Sequence, residues 1–319
     1  MSALMPDKLL RMHRTGRGDG AAAPGRPVML AIAGDSAAGK TTITAGLVKA
    51  LGPERCTAVC VDDYHRYDRA ERRNLPFTVL HPDCNHVDIM EQHLQLLATG
   101  HPVLKPVYDH HTGTFTRPQY VEPREFVIIE GLLPLHTKLA AACFDVTVFL
   151  NPPEEIRREW KISRDTAHRG YRREHVLAEL ERREPDSAAF IRPQRARADI
   201  VVRFAPVAQR HDPPGTQLSA ELLLRPTIRH PDLTAVLAGT ASMHLKLTRD
   251  EHGRPVDALH VHGYAPREDT RLLEKAIWSG LGGLSDLPDV LGDLGDGKRS
   301  EPLAVTQLLL LYHLIDSTR

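Results

Sequence analysis

Residues 34 to 41 read Gly34-Asp35-Ser36-Ala37-Ala38-Gly39-Lys40-Thr41, which matches the G-x-x-x-x-G-K-[ST] pattern of a phosphate-binding loop. The chemistry this spacing permits is the cradling of a polyphosphate. Two glycines let the backbone turn tightly enough to aim several N–H groups at one anion. Lys40 is placed to reach the outer phosphates, and the Thr41 hydroxyl to reach a divalent cation. The loop needs a strand before it and a helix after it, and the flanks have both characters. Val28 to Ala33 is a short apolar run. From Thr42 on, Ile43, Leu47 and Leu51 recur on one helical face. The positive end of that helix adds to the anion site.

Three further clusters carry titratable groups. Phe126 to Gly131 reads as a buried strand ending in a carboxylate, Glu130. At the carboxyl edge of a parallel sheet this acid would lie beside the loop, where ligands collect, as a partner for the metal; a strand-terminating acid without a role would look the same. The run Val61-Asp62-Asp63-Tyr64-His65-Arg66-Tyr67-Asp68-Arg69 follows a second strand candidate. It offers a carboxylate base for a hydroxyl proton and arginines for an acceptor phosphate, or else a solvated charged turn. The third cluster runs from Lys161 to Tyr171, with positions 161, 164, 165 and 168 on one helical face. Residues 157 to 197 hold twelve Lys/Arg against seven Asp/Glu. That local positive charge suits a lid over transferring phosphate, and equally a helix surface laced with ion pairs. Tyr108 to Gly113 is a polar loop that carries no assignment by itself.

Around these clusters, short apolar runs alternate with amphipathic stretches. The strand candidates are 28–33, 57–61, 126–130, 145–150 and 199–204; the helix candidates are 40–51, 88–99, 136–142, 153–168 and 173–183. This alternation predicts an α/β fold with a mostly parallel sheet flanked by helices. Residues 1–26 are Arg/Gly/Ala-rich and read as a disordered tail, 27–205 as the core domain, and 206–319 as an α+β extension packed on it, entered through a linker at 206–215. Strands are expected at 218–224, 243–248 and 258–261, with a hairpin turn at 250–253, and helices at 271–280 and 303–315. With 41 Lys/Arg and 41 Asp/Glu in 319 residues, whole-chain charge points to neither nucleic acid nor a membrane surface. No apolar run approaches the roughly 18 residues of a membrane span. Four cysteines without a C-x-x-C pair or a metal-site spacing read as reduced thiols of a cytoplasmic protein.

Residues 28 to 205 resemble the phosphoribulokinase/uridine kinase family of P-loop kinases. The resemblance lies in G-D-S-A-A-G-K-T-T, V-D-D-Y-H-R-Y-D-R, K-P-V-Y-D-H-H-T-G, V-I-I-E-G-L-L-P, W-K-I-S-R-D-T-A-H-R-G-Y and F-I-R-P-Q-R-A-R-A-D-I. Within the family, the D-D-Y-H run, the W-K-I-x-R-D form and the extra C-terminal third favour the phosphoribulokinase branch. The resemblance implies ATP and Mg²⁺, with Gly34 to Thr42 on the nucleotide and Thr41 and Glu130 on the metal. It implies Asp62 as the base, with Asp63 as second choice, and Lys161, Arg164, Arg169 and Asp165 as the lid. His65 and Arg69 fall at sugar-phosphate positions, and Asp63, Tyr108, His110 and Arg169 are expected on the substrate with them. The implied reaction converts D-ribulose 5-phosphate to ribulose 1,5-bisphosphate for the Calvin cycle, in a homodimer or larger homo-oligomer. Light-regulated relatives carry a cysteine inside the loop, paired with one just before the D-D-Y-H run. Here the loop position is Ala38 while Cys60 keeps the other, so insensitivity to oxidation by that route is expected.

Other readings stay open. A uridine-type nucleoside kinase shares the loop, the E-G strand and the lid, but its uncharged acceptor gives Arg69 little to bind. A kinase of another pentulose phosphate fits the same motifs. A non-enzymatic ATP-binding module fits the loop alone and leaves base, metal acid and lid unexplained.

Overall fold

Val28–Gly34 (β1) is buried at all seven positions, as a strand covered on both faces must be. Its side chains alternate between two apolar layers. Val28, Leu30 and Ile32 belong to one, Met29, Ala31 and Ala33 to the other. In the computed structural model, which describes residues 26–207, 216–281, 289–295 and 297–319, β1 lies inside an eight-stranded sheet. Its parallel part contains Cys56–Cys60 (β2), Phe126–Gly131 (β3), Val146–Leu150 (β4) and Ile200–Ala205 (β5). β1 pairs with β3 and β4; β2 continues beyond β3, and β5 beyond β4. Each of these strands begins and ends within one residue of the sequence expectation.

The sheet does not stop at β5. Ser219–Leu224 (β6) pairs with β5 antiparallel, followed outward by Pro255–Val261 (β8) and Met243–Arg249 (β7), giving the order β7-β8-β6-β5-β4-β1-β3-β2. The segment expected as an extension packed on the core therefore continues the core's own sheet through hydrogen bonds. The β7–β8 hairpin turns at Asp250 to Gly253, as its turn residues require; Gly253 N–H donates to Asp250 O at 2.9 Å. The expected N-terminal tail and most of the expected 206–215 linker lie outside the described residues.

One sheet face is covered by Lys40–Leu51 (α1), Arg267–Gly280 (α7) and Glu301–Asp316 (α8); the other by Val87–Ala98 (α2) and Lys138–Ala142 (α3). Glu154–Arg169 (α4) and Arg173–Asp186 (α5) form a basic pair with its own small apolar contact at Ile162, Val176 and Leu180. Thr234–Leu237 (α6) is a single turn absent from the sequence expectation. α8 is buried from Pro302 to Leu314 on all sides, so its sequence shows no polar face, as expected of a helix enclosed in a core. Gln307 on α8 donates to Thr42 O of α1 at 3.3 Å and accepts from Gly292 N–H at 2.8 Å. Gly46 permits this approach, because a Cβ there would stand 2.0 Å from Gln307 Nε2. Among the described residues no helix is long and apolar enough to cross a membrane.

Candidate active site

The phosphate loop lies where β1 hands over to α1. Gly34 has φ +152°, and a Cβ on it would meet Leu150 O of β4 at 2.8 Å, so only glycine fits. Ala37 takes the left-handed conformation at φ 63° without being glycine, a local strain of roughly 1–2 kcal/mol. α1 starts at Gly39 with no side-chain cap and no acid in its first turn, so its leading N–H groups stay open to an anion. Lys40 Nζ donates to Gly34 O at 3.0 Å and Asp35 O at 2.8 Å. Ser36 to Thr42 line a cavity of about 1090 Å³, at the upper end of small-molecule sites of roughly 300–1,000 Å³. Gly34 and Asp35 do not reach it. Asp35 braces the loop from behind: its carboxylate accepts from Ser36 N–H at 2.6 Å and from the Ser187 hydroxyl, and sits 3.4 Å from buried Arg157. Arg157 also donates to Ser36 O at 3.2 Å.

Glu130 stands on β3 in register with Ile32 of β1 and Cys60 of β2. Its carboxylate accepts from the Thr41 hydroxyl at 3.0 Å. Burial raises its pKa, partly countered by Lys40. A hydroxyl and a carboxylate at this spacing are hard oxygen donors suited to Mg²⁺. Among the described residues no cluster of three His, Cys, Asp or Glu could hold a metal.

Asp62 lies one strand over, on a single tight turn after β2, and lines the same cavity. The end of β3 packs against it: Leu132 N–H faces Asp62 Oδ1 at 3.3 Å, and a Cβ on Gly131 would strike Val61 Cγ2 at 2.4 Å. The glycine of the E-G pair is the space that lets the two strand ends meet. Asp63 points elsewhere. It pairs with buried Lys105 and accepts from Tyr108 N–H at 2.9 Å, so it ties the 105–108 segment to the Asp62 turn and does not line the cavity. This differs from its expected place on the substrate, because a neighbouring lysine occupies it. His65, Tyr108 and His110 line the cavity as a cluster of edge-on rings. Burial lowers the His110 pKa. Arg69 reaches the cavity edge and donates to the carbonyls of His110 and His111.

The opposite wall is α4. Asp165, 3% exposed, is bonded to Lys161 at 2.8 Å and Arg164 at 2.9 Å, with Arg169 at 3.4 Å. Burial pushes its carboxyl up, but the hydrogen bonds from Arg164 and Lys161 outweigh that and hold it below its usual range. Lys161 is pushed down to about 8 by burial and then by the Arg183 charge, with Asp165 pulling the other way. Arg164 also reaches toward the Ser36 hydroxyl at 3.4 Å, joining this wall to the loop. The side chain of His168 is outside what the structure describes. Several cavity residues escaped the sequence reading. Trp160 beside Gly39 stands in the W-K-I-x-R-D run, which assigned it no role, and Arg182 and Arg183 lie within the counted charge excess. Arg72, over the Tyr108 ring at 4.9 Å, carried no signal apart from its charge. Phe204 on β5, and Leu218, Leu294 and Leu303 in the C-terminal third, also reach the cavity, and no local pattern marks them.

A glycine loop feeding an uncapped helix, a carboxylate on the adjacent strand and a basic helix opposite define the P-loop kinase fold. The family model of the Phosphoribulokinase / Uridine kinase family matches residues 29–210, and the chain belongs to that family. It is 37% identical over 204 residues to the phosphoribulokinase of Synechocystis sp., covering 64% of this chain and 61% of that protein. It is 30% identical over 184 residues to the uridine kinase of Oceanobacillus iheyensis, covering 56% of this chain and 86% of that one. The chain thus spans about three fifths of the Synechocystis protein's length. The solved phosphoribulokinase of Rhodobacter spheroides shares the fold, with a TM-score of 0.58 over 81% of this chain and 98% of that one at 19% identity.

Proposed function

We propose that the protein phosphorylates D-ribulose 5-phosphate with ATP, giving ribulose 1,5-bisphosphate and ADP. The observation that supports this best is a shared cavity. The Asp62 carboxylate, the loop residues Lys40 and Thr41, and the α4 cations Lys161 and Arg164 all line it, as transfer between a nucleotide and a second anionic ligand requires. In this reading the acceptor hydroxyl oxygen attacks the terminal phosphorus, the bond from that phosphorus to the ADP oxygen breaks, and the hydroxyl proton passes to Asp62. Loop N–H groups and Lys40 hold the polyphosphate. Lys161, Arg164 and Arg169 stabilise charge on the transferring group, with Asp165 keeping the three in place. Arg69 meets the acceptor phosphate. Thr41 and Glu130 would hold Mg²⁺, which neutralises phosphate charge when bound. Residues 27–205 carry this chemistry, and 206–319 complete the sheet and one cavity wall. A cytoplasmic homo-oligomer belongs to the same reading.

A coupled ADP-release assay with Mg-ATP tests it, offering ribulose 5-phosphate, ribose 5-phosphate, uridine and pantothenate in parallel. Turnover should be fastest with ribulose 5-phosphate. Preference for uridine would replace the reading by a nucleoside kinase, and ATP binding without turnover on any acceptor would replace it by a binding module.

A further inference from the structure

His65 closes the turn that carries Asp62 and lines the cavity while only 3% exposed. Its backbone is held beside Asn85: the two residues form an isolated bridge, Arg66 N–H donates to Cys84 O at 2.8 Å, and His86 N–H to Tyr64 O at 2.8 Å. The side chains meet as well, with His65 Nδ1 2.7 Å from Asn85 Oδ1. The orientation of the Asn85 amide is forced. Its Nδ2 donates to Val79 O at 3.0 Å and His81 O at 2.9 Å. Turning the amide over would set an oxygen against two carbonyl oxygens and strand buried acceptors. Oδ1 therefore faces the ring, and an oxygen there can only accept, so Nδ1 carries the hydrogen.

A neutral imidazole has one N–H, which leaves a lone pair on Nε2. That atom has no hydrogen-bond partner among the described residues, and its ring borders the cavity. The titratable and charged groups facing the ring are Asp62, Arg72, His110 and Tyr108. Burial dominates and pushes the imidazole down to about 4, with Asp62 raising it and Arg72 lowering it.

We propose that Asn85 is a positioning residue: it holds His65, which the family resemblance already sets at the acceptor, as a neutral ring whose bare Nε2 accepts a hydrogen bond from a sugar hydroxyl. An ionised phosphate has only acceptor oxygens and cannot bond to a bare nitrogen. His65 therefore belongs with the carbon chain of the sugar and leaves the phosphate to arginine. The inference rests on the sugar-phosphate kinase reading and divides the acceptor site between two residues that the family resemblance had placed together.

The test is a two-bond ¹H–¹⁵N spectrum of histidine-labelled full-length protein without substrate, with His65 assigned by difference from His65→Gln. The expected signature is a neutral, Nδ1-protonated ring that stays neutral from pH 7 down to about pH 5; an imidazolium or an Nε2-protonated ring overturns the proposal. Asn85→Ala should shift His65 toward the other tautomer and raise KM for ribulose 5-phosphate about tenfold, with KM for ATP unchanged. An unmoved His65 signature in that variant removes Asn85 from the role. The spectrum needs no turnover, so its failure with ribulose 5-phosphate still active sinks this inference alone, whereas loss of the sugar-phosphate reading would show in the ADP-release assay.

Discussion

The two ends of the cavity are built differently. At the phosphate-loop end, the wall is the backbone turn of Ser36 to Thr42 running into an uncapped helix start, shaped by Gly34 and Gly39 and stiffened from behind by Asp35, Ser187 and Arg157. At the Asp62 end the inward groups are side chains supported from elsewhere in the chain, Tyr108 under Arg72 and His65 by Asn85, while Asp63, turned from the cavity, ties the same turn to Lys105. A backbone cradle tolerates many side chains so long as the turn is kept. A side-chain cluster is only as well placed as its supports. Damage at one end should therefore leave the other working.

Asp62→Asn tests this separation most severely. The turnover number should fall by at least roughly 10²–10⁴ with nucleotide affinity retained, measured by steady-state kinetics and nucleotide titration; equal loss of nucleotide binding would mean the ends are not independent. Lys105→Met leaves Asp63 poorly paired beneath the acceptor wall. It should cost about 3 kcal/mol in urea unfolding and raise KM for the sugar phosphate selectively, and a matching rise in KM for ATP would blur the distinction. Arg69→Ala should raise KM for the sugar phosphate roughly tenfold to a hundredfold; an unchanged value removes this residue from the acceptor.

On the support of the loop end, acid is the probe. Burial pushes the His313 imidazole on α8 down to about 3, and His230, whose Nδ1 lies 3.1 Å away, is lowered as well. The unfolded chain takes up a proton below about pH 6.5 while the folded His313 does not, so stability falls as pH drops through that point. The loss from this residue is about 2 kcal/mol at pH 5. The difference in unfolding free energy between pH 7 and pH 5 should shrink by about that amount in His313→Leu. The smallest expected effect is that of oxidation. All four cysteines are free, and Ala38 removes the loop sulfur. Activity should be the same after mild oxidation and after dithiol reduction; reversible inactivation through Cys60 with Cys56 or Cys84 would contradict this.

The same contrast accounts for what could be read from residues alone. The loop was legible because its glycines, Lys40 and Thr41 are contiguous, and Glu130 because a buried strand ends on it. Strands β1 to β5 were legible as apolar runs bounded by polar turns. The supports were not: nothing local links Asp63 to Lys105 or His65 to Asn85, and Asp63 looks as free in sequence as Asp62 does. Phe204 and Leu303 read as ordinary core residues, since only the folded sheet brings β5 and α8 to the loop. The continuation of the sheet beyond β5 escaped for a related reason, because alternating strands reveal a buried face and not their pairing partners.

The buried face of α1 is completed by α8, and the Gln307 bond to Thr42 O spans 265 residues. A fragment containing every family motif but ending before α8 would leave Ile43, Leu47 and Leu51 without much of their cover. Such a fragment should bind nucleotide weakly and aggregate. The cover of α1 is thus set by a contact between distant parts of the chain rather than by local helix propensity.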